Sequence, residues 1–439
     1  MKSVLLFLLS SVVLVQSESG HAAESGPQAL SSNSNLPPYQ LTLSGSSSGL
    51  FKDYFDLYVI EATTNLVDWQ PLLRLLHTNS TAPLVFTDTN AAHLSHRYSH
   101  FLTAFPEPSG PFSVGAFSRL VTDPSRSNRY NIPTNSWYMV SFWYPAVARS
   151  GAIPSAYMDG KLAEDPGCMC ESGNVDPRIV RRLVAHAIPQ AQIVPGGQRF
   201  PVILYSHGGH GHRKLNTHAV EELASHGFIV VAPDHRDCVG TVFPDGRYLQ
   251  GVEASGDSFA SSIANRIKDT QVLLDELARI NATDPLLAGR LDLGRIGTFG
   301  MSFGVANTAE FGRIDDRVKC LALLDGSVSF SIHPDLAESG LQKPFLIMNS
   351  PTANADSDSP ILFKKATRDA VWLYIEGAEH LTFVDAPWVV QPTIQSRRAA
   401  EAITACLLSF FKQYLKDQDD HLLDDPSLTY REVIRFMRK

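Results

Sequence analysis

Beyond residue 106 the chain alternates between short, continuously apolar runs and longer segments whose apolar residues return every three or four positions. The runs at 202–205, 228–232, 296–299, 318–324, 345–348 and 371–375 have the length and composition of strands buried on both faces. Between them, 216–226 reads as a helix stopped by Gly227. The segment 261–280 reads as a long amphipathic helix carrying Ile263, Ile267, Val272, Leu273, Leu277 and Ile280. A last helix, 393–415, lines up Ala399, Ile403, Cys406, Phe410 and Tyr414. Strands without a polar face, separated by helices, predict an α/β domain with a mostly parallel sheet covered by helices on both faces. One more segment has a helical signature. Asp176-Pro177 supplies a cap and a first-turn proline, and Ile179, Val180, Leu183, Val184, Ala187 and Ile188 follow as an apolar stripe ending at Pro189. It predicts a lid helix packed on the body, or one meeting an apolar substrate or lipid surface in transient contact.

Before residue 106 the pattern changes. Short β-type runs (41–43, 55–61, 84–86) alternate with clusters of Gly, Ser, Asn, Asp and Thr, the signature of short antiparallel strands and turns. Residues 37–105 therefore read as a small all-β, sandwich-like module and 106–439 as the α/β domain, with Pro106, Pro108 and Pro111 at the boundary. Residues 20–36, rich in Ser, Gly, Ala and Asn, read as a linker. Residues 1–19 read as an export signal: Lys2 gives a positive start, 4–15 is apolar apart from Ser10 and Ser11, and Val15-Gln16-Ser17 and Gly20-His21-Ala22 both suit cleavage. The apolar run is too short to span a bilayer comfortably, so the expectation is a secreted or periplasmic protein.

Composition narrows the chemistry. With 439 residues, 44% hydrophobic and 19% charged, the chain has the material for a large core and a second domain. Its net charge of -8 is spread without a basic block, which argues against nucleic acid as a partner. Five cysteines are an odd number for an exported chain. Cys320 and Cys406 sit in apolar patterns and read as buried thiols. If a disulfide forms, Cys238 with Cys168 or Cys170 is favoured, because a C-x-C bridge is cramped. The sequence leaves the oligomeric state open.

The strongest chemical signal is Gly300-Met301-Ser302-Phe303-Gly304, between the apolar run 296–299 and a segment able to start a helix. In a strand–turn–helix context this G-x-S-x-G pattern is a nucleophile elbow, with Ser302 as the nucleophile. A serine hydroxyl needs a base, and the base needs an acid to fix its tautomer. His380 follows the late run 371–375 in a loop at the carboxyl edge of the predicted sheet and fits the base, whereas His333 comes too soon after the elbow. Asp325, directly ending the run 318–324, fits the acid better than Asp356, which stands in a polar loop with Asp358. An oxyanion needs two N–H donors: Phe303, next after the serine, and Gly209 in the loop Ser206-His207-Gly208-Gly209. His207, His210, His212 and His218 crowd that loop, but no Asp, Glu or Cys completes a compact metal set. His93, His96 and His100 would be scattered over both faces of a strand. No metal and no cofactor are expected.

Several motifs, in order, resemble the secreted-type platelet-activating-factor acetylhydrolases. They are residues 110–115, Tyr205-Ser206-His207-Gly208, 223–230, Asp234-His235-Arg236-Asp237, 300–304, Leu323-Leu324-Asp325 and 375–385. The resemblance implies an α/β-hydrolase fold, no metal, and cleavage of short or oxidised acyl chains from the sn-2 position of phospholipids. It places the family's triad on Ser302, Asp325 and His380 and its oxyanion donors on Gly209 and Phe303. Met301, Val305, Gly209 and Gly326 depart from the family's usual His, Gly, larger apolar residue and aromatic. Residues 60–66 with Trp69, 86–88 and Arg97-Tyr98 resemble a fibronectin-like β module of secreted bacterial proteins.

The expected function is a secreted serine hydrolase of short-chain acyl esters, its partner a small ester or phospholipid. A broad carboxylesterase or polyesterase is the alternative on the same fold. An exported binding protein with an inert hydrolase body is the alternative of another class.

Overall fold

The computed structural model describes residues 105–439 apart from 128–134, 148–150, 166, 170–179, 182, 252–258, 352–357 and 390–392; before residue 105 it describes only the backbone of strands. The chain divides into two compact units, Met1–Ala104 and Phe105–Lys439.

The described strands of the first unit are β1 (Val13–Gln16), β2 (Tyr39–Gly45), β3 (Phe55–Thr63), β4 (Gln70–Thr78), β5 (Leu84–Asp88) and β6 (Arg97–Thr103). They pair antiparallel in two sheets of order β1-β2-β5 and β4-β3-β6. The expected runs 41–43, 55–61 and 84–86 lie in β2, β3 and β5. Val13–Gln16, inside the expected export signal, pairs with β2, so a chain cleaved after that signal would keep only the β2–β5 pair of this sheet. The linker, His93, His96 and the side chain of His100 lie outside the described residues.

The second unit is built on ten strands in the order β18-β17-β16-β15-β14-β10-β11-β8-β7-β9. These are β7 (Ser113–Ser127), β8 (Asn135–Ala146), β9 (Ile188–Pro189), β10 (Phe200–Ser206), β11 (Ile229–Pro233), β14 (Leu291–Met301), β15 (Val318–Leu324), β16 (Phe345–Asn349), β17 (Ala370–Ile375) and β18 (Val433–Arg438). A two-stranded ribbon, β12 (Gly240–Val242) with β13 (Tyr248–Gln250), stands apart from them. Neighbours from β11 through β10, β14, β15 and β16 to β17 are parallel. Antiparallel β8 and β18 flank this block on its two sides. The parallel strands are those whose sequences are apolar on both faces, and β10, β11 and β16 are buried at every residue.

Three helices position the chemistry: α1 (Thr217–Ser225), α2 (Phe259–Thr283) and α3 (Phe303–Ile314). A fourth, α4 (Ile394–Lys416), opens with a capping box between Thr393 and Ser396. One core cluster joins β8, β10 and β11 to Leu273, Leu277 and Ile280 of α2; a second joins β15 and β16 to Val305 and Ala309 of α3. Each leucine, isoleucine or valine among them contributes about 1.5–3 kcal/mol on burial. Among the described residues no helix is long and apolar enough to cross a membrane.

The expected lid helix is corrected. Residues 170–179 and 182 lie outside the described residues; only Val180 and Arg181 are helical, and the chain beyond them is extended. Leu183, Ala185 and Ala187 are buried while Val184, His186 and Ile188 are half-buried, a period of two. Val184 bridges to Ala156, and Ile188 pairs with Gly115 of β7. The N–H groups of His186 and Ala187 donate to the buried Glu221 carboxylate of α1 at 2.8–3.1 Å, a partner that a helix would not use. Cys168, Cys320 and Cys406 are buried free thiols, so a Cys238–Cys168 bridge is absent; Cys170 lies outside the described residues.

Candidate active site

Parallel strands send all their carboxyl ends to one edge of the sheet, so loops far apart in sequence converge there. Ser206 at the end of β10 is level with Gly300 in β14, and Met301 is level with Leu324 at the end of β15. The 206–209 loop, Ser302 and Asp325 therefore leave the sheet side by side. Ser302 has φ 55° and ψ -121° between β14 and α3. Only a tight turn allows this: Ser302 N–H donates to the Leu324 carbonyl at 2.9 Å, and a Cβ at Gly304 would run into the carbonyl oxygen of Ser206.

Ser302 Oγ lies 2.9 Å from His380 Nε2, and His380 Nδ1 lies 2.7 Å from Asp325 Oδ2. A carboxylate only accepts, so the imidazole carries its proton on Nδ1 and leaves Nε2 free to accept from the serine hydroxyl. Asp325 is buried. Its Oδ1 accepts from the Ser350 N–H at 2.7 Å, and its own N–H donates to the Met348 carbonyl at 2.8 Å, which ties the acid to the end of β16. His380 opens a short 3-10 turn whose capping box, between Glu379 and Thr382, sets the ring's approach. The imidazole is 51% exposed, so the site is open to solvent. Asp385, five residues on, accepts from Thr217 N, His218 N and Tyr157 Oη at 2.7–3.0 Å. It thereby fastens the loop after His380 to the start of α1. Burial pushes its carboxyl well above the ordinary range. Asp356 lies outside the described residues, and Asp358 accepts from the Phe330 N–H at 2.9 Å.

Gly208 packs against Ser302 Cβ, and Gly209 faces Phe303. Among the described residues, neither the Gly209 N–H nor the Phe303 N–H donates to a protein acceptor. Phe303 begins α3, where the first amides have no partner within the helix and favour negative charge. The exposed ring of Phe259 packs tilted against Phe303 with centroids 4.5 Å apart and forms an apolar wall on this side.

Beneath the loop lies a buried polar network that includes residues of the motifs at 205–208 and 234–237. His207 Nδ1–H donates to the Gly208 carbonyl at 2.7 Å, and its Nε2 accepts from His235 N at 3.1 Å. Burial, with Arg266 and His235 nearby, holds His207 well below the ordinary histidine range, so it is neutral. His235 Nε2 lies 3.0 Å from Ser206 Oγ, which also accepts from Asn307 Nδ2 at 3.0 Å. Arg266 forks: Nε and Nη2 reach Asp237 at 2.9 and 2.6 Å, while Nη1 and Nη2 reach the carbonyls of His207 and Gly208 at 2.5 and 3.1 Å. Burial disfavours the charge on Asp237, but Arg266 outweighs it and holds the carboxyl below its usual range. Asp234 makes a buried ion pair with Arg213. A signal for this network was present: Arg266 and Asp269 stand on the buried stripe of α2 among Ile263, Leu273 and Leu277, where an amphipathic helix carries apolar residues. His207 and His212 have both ring nitrogens engaged, His212 with the Cys168 carbonyl and Lys214 N, so neither is disposed to bind metal.

Sheet, turn and edge together define an α/β-hydrolase. The sequence model of the family "Platelet-activating factor acetylhydrolase, isoform II" matches residues 102–245. A platelet-activating factor acetylhydrolase of Cavia porcellus is 24% identical over 353 residues, 71% of this chain and 78% of that protein. A probable 1-alkyl-2-acetylglycerophosphocholine esterase of Arthroderma benhamiae is 26% identical, over 75% of this chain and 92% of that one. Among solved structures, a ferulic acid esterase from Streptomyces cinnamoneus superposes with a TM-score of 0.63 at 26% identity, covering 75% of this chain and 98% of the esterase. The chain is thus a carboxylic ester hydrolase related to the platelet-activating-factor acetylhydrolases.

Proposed function

We propose that the protein is an exported serine hydrolase that removes short acyl chains from esters through an acyl-enzyme, with Ser302 as nucleophile, His380 as base and Asp325 as the acid orienting it. The hydrogen-bonded series Ser302 Oγ–His380 Nε2 and His380 Nδ1–Asp325 carries the reading. His380 Nε2 takes the Ser302 proton as Oγ attacks the ester carbonyl, and the oxyanion that forms meets the Gly209 and Phe303 N–H groups. Collapse breaks the C–O bond to the alcohol, which leaves with the proton from His380. Water then gives a proton to Nε2 and its oxygen to the acyl carbon, releasing the acid and restoring Ser302.

The relatives named as platelet-activating-factor acetylhydrolase and 1-alkyl-2-acetylglycerophosphocholine esterase support an sn-2 short-acyl phospholipid as substrate. A second reading, an esterase of aromatic acids, is favoured by the ferulic acid esterase neighbour and by the exposed Phe259 against Phe303. Export is supported by Lys2 and the apolar segment that follows.

The test is an ester series on the purified chain: nitrophenyl acetate to decanoate, an sn-2 acetyl phospholipid and methyl ferulate, with S302A alongside. Steep loss beyond about four acyl carbons with turnover of the phospholipid is the expected result. Preference for the ferulate selects the second reading. Unchanged rates in S302A refute the mechanism.

A further inference from the structure

We propose that Arg266 is a positioning residue that aims the two backbone donors beside Ser302, through the Gly208 carbonyl on one side and the Phe303 ring on the other. The inference rests on the proposed roles of Ser302, Gly209 and Phe303. In a trans peptide the C=O and the following N–H point in opposite directions. The Gly208 carbonyl belongs to the same peptide unit as the Gly209 N–H. Arg266 Nη2 holds that carbonyl at 3.1 Å, so the Gly209 N–H is turned the other way. His207 Nδ1–H grips the same oxygen at 2.7 Å, and Arg266 Nη1 fixes the preceding carbonyl, that of His207.

The same guanidinium carbon lies 4.4 Å from the centre of the Phe303 ring. One side chain is therefore tied to the peptide unit that carries the Gly209 N–H and to the ring of Phe303. Its remaining edge is spent on Asp237, which fixes the plane of the fork. A buried ion pair is weak evidence for stability alone, since apolar replacements are often as good. Bridging a carboxylate and two successive carbonyls in one plane is a geometry that lysine, with a single nitrogen, does not reproduce.

The test uses the full chain with R266K, the charge-neutral pair R266Q/D237N, the exposed control R279Q, and S302A. Turnover of nitrophenyl butyrate, inhibition by a short alkylboronic acid, which forms a tetrahedral adduct on a serine, and thermal midpoints are measured. In R266K, kcat should fall about 10²-fold, near the loss of one oxyanion donor, and boronate affinity should weaken by a similar factor. KM should stay within about threefold, because a donor used only in the transition state does not set ground-state binding. The R266Q/D237N pair should fall at least as far, and R279Q should match the parent. Values of kcat within about threefold of the parent in both variants overturn the inference, as does a loss confined to KM. A lowered thermal midpoint with kcat and boronate affinity unchanged assigns Arg266 to packing and also overturns it. Turnover retained in S302A overturns the nucleophile reading and this inference with it; a dead S302A beside unimpaired R266K and R266Q/D237N overturns this inference alone.

Discussion

The relay Ser302–His380–Asp325 and the network under the 206–209 loop are neighbours with opposite surroundings. The His380 imidazole is 51% exposed, whereas the Arg266 side chain is 1% exposed and His207 is fully buried. In the proposed mechanism the relay meets substrate and passes a proton, which suits its place on turns at the open edge of the sheet. The network is proposed to act from beneath, holding peptide groups whose N–H vectors have to be right before substrate arrives. A side-chain donor can be aimed by its own rotamer, whereas a backbone donor is aimed by holding the residues and the peptide unit that carry it. This is the use we propose for the charged groups buried beneath glycines here. A preorganised donor also costs no reorganisation at the moment of reaction.

The largest test of this contrast is on the exposed side. D325N should lower kcat by about 10⁴ with the fold intact, because an amide oxygen still accepts the Ser350 N–H while the imidazole takes the wrong tautomer. Steady-state kinetics with a circular-dichroism melt would check it; near-normal kcat would show that the relay is not used. Next comes the seam between the two regions. A Cβ at Gly326 would strike the Ser302 carbonyl oxygen, so G326A must push the elbow away from the base. We expect kcat to drop about 10–100-fold, with a stability cost of about 1–3 kcal/mol. The two are read from turnover and urea unfolding of the same preparation.

The buried side is probed by pH. Burial pushes His212 down to about 4. Between pH 6.5 and 4 the unfolded chain takes up a proton there that the native chain refuses, so this stability is present above pH 6.5 and is lost as pH falls toward 4. At pH 5 the loss is on the order of 2 kcal/mol. The parent should lose this much relative to H212Q between pH 7 and pH 5, measured by urea midpoints; parallel curves would place a charged histidine in the core. The smallest effect is expected at the rim. F259A should change kcat/KM for an aromatic acyl ester by about two- to fivefold and leave nitrophenyl acetate nearly unaffected. Equal effects on both esters would mean that the ring supports Phe303 rather than meeting the acyl group.

Parts of the molecule were legible for reasons visible in particular elements. The runs that became β10, β11 and β14 to β17 are apolar on both faces, and only a covered parallel sheet makes use of that. Strand β18, with Arg435 and Arg438 among its apolar residues, carries no such signal, because an antiparallel edge strand keeps one face and one edge to solvent. In β7, exposed Leu120 beside buried Val121 shows the same ambiguity. At 183–188, positions 183, 184, 187 and 188 satisfy a helical stripe, yet the chain buries 183, 185 and 187. The Glu221 carboxylate of a remote helix decides between the two periods by taking the backbone donors.

What the sequence determined by itself was the order of chemical parts: a strand, a serine between glycines and a helix, then an acid ending one strand and a histidine following another. Local sterics and the apolar period encode these, and they need no knowledge of distant contacts. Which carbonyls turn inward, and which arginine holds them, was decided only when α2 packed across β10 and β14. A guanidinium finds its carboxylate, two carbonyls and a ring by position in space, and no spacing along the chain from 207 to 237 to 266 and 303 records that meeting.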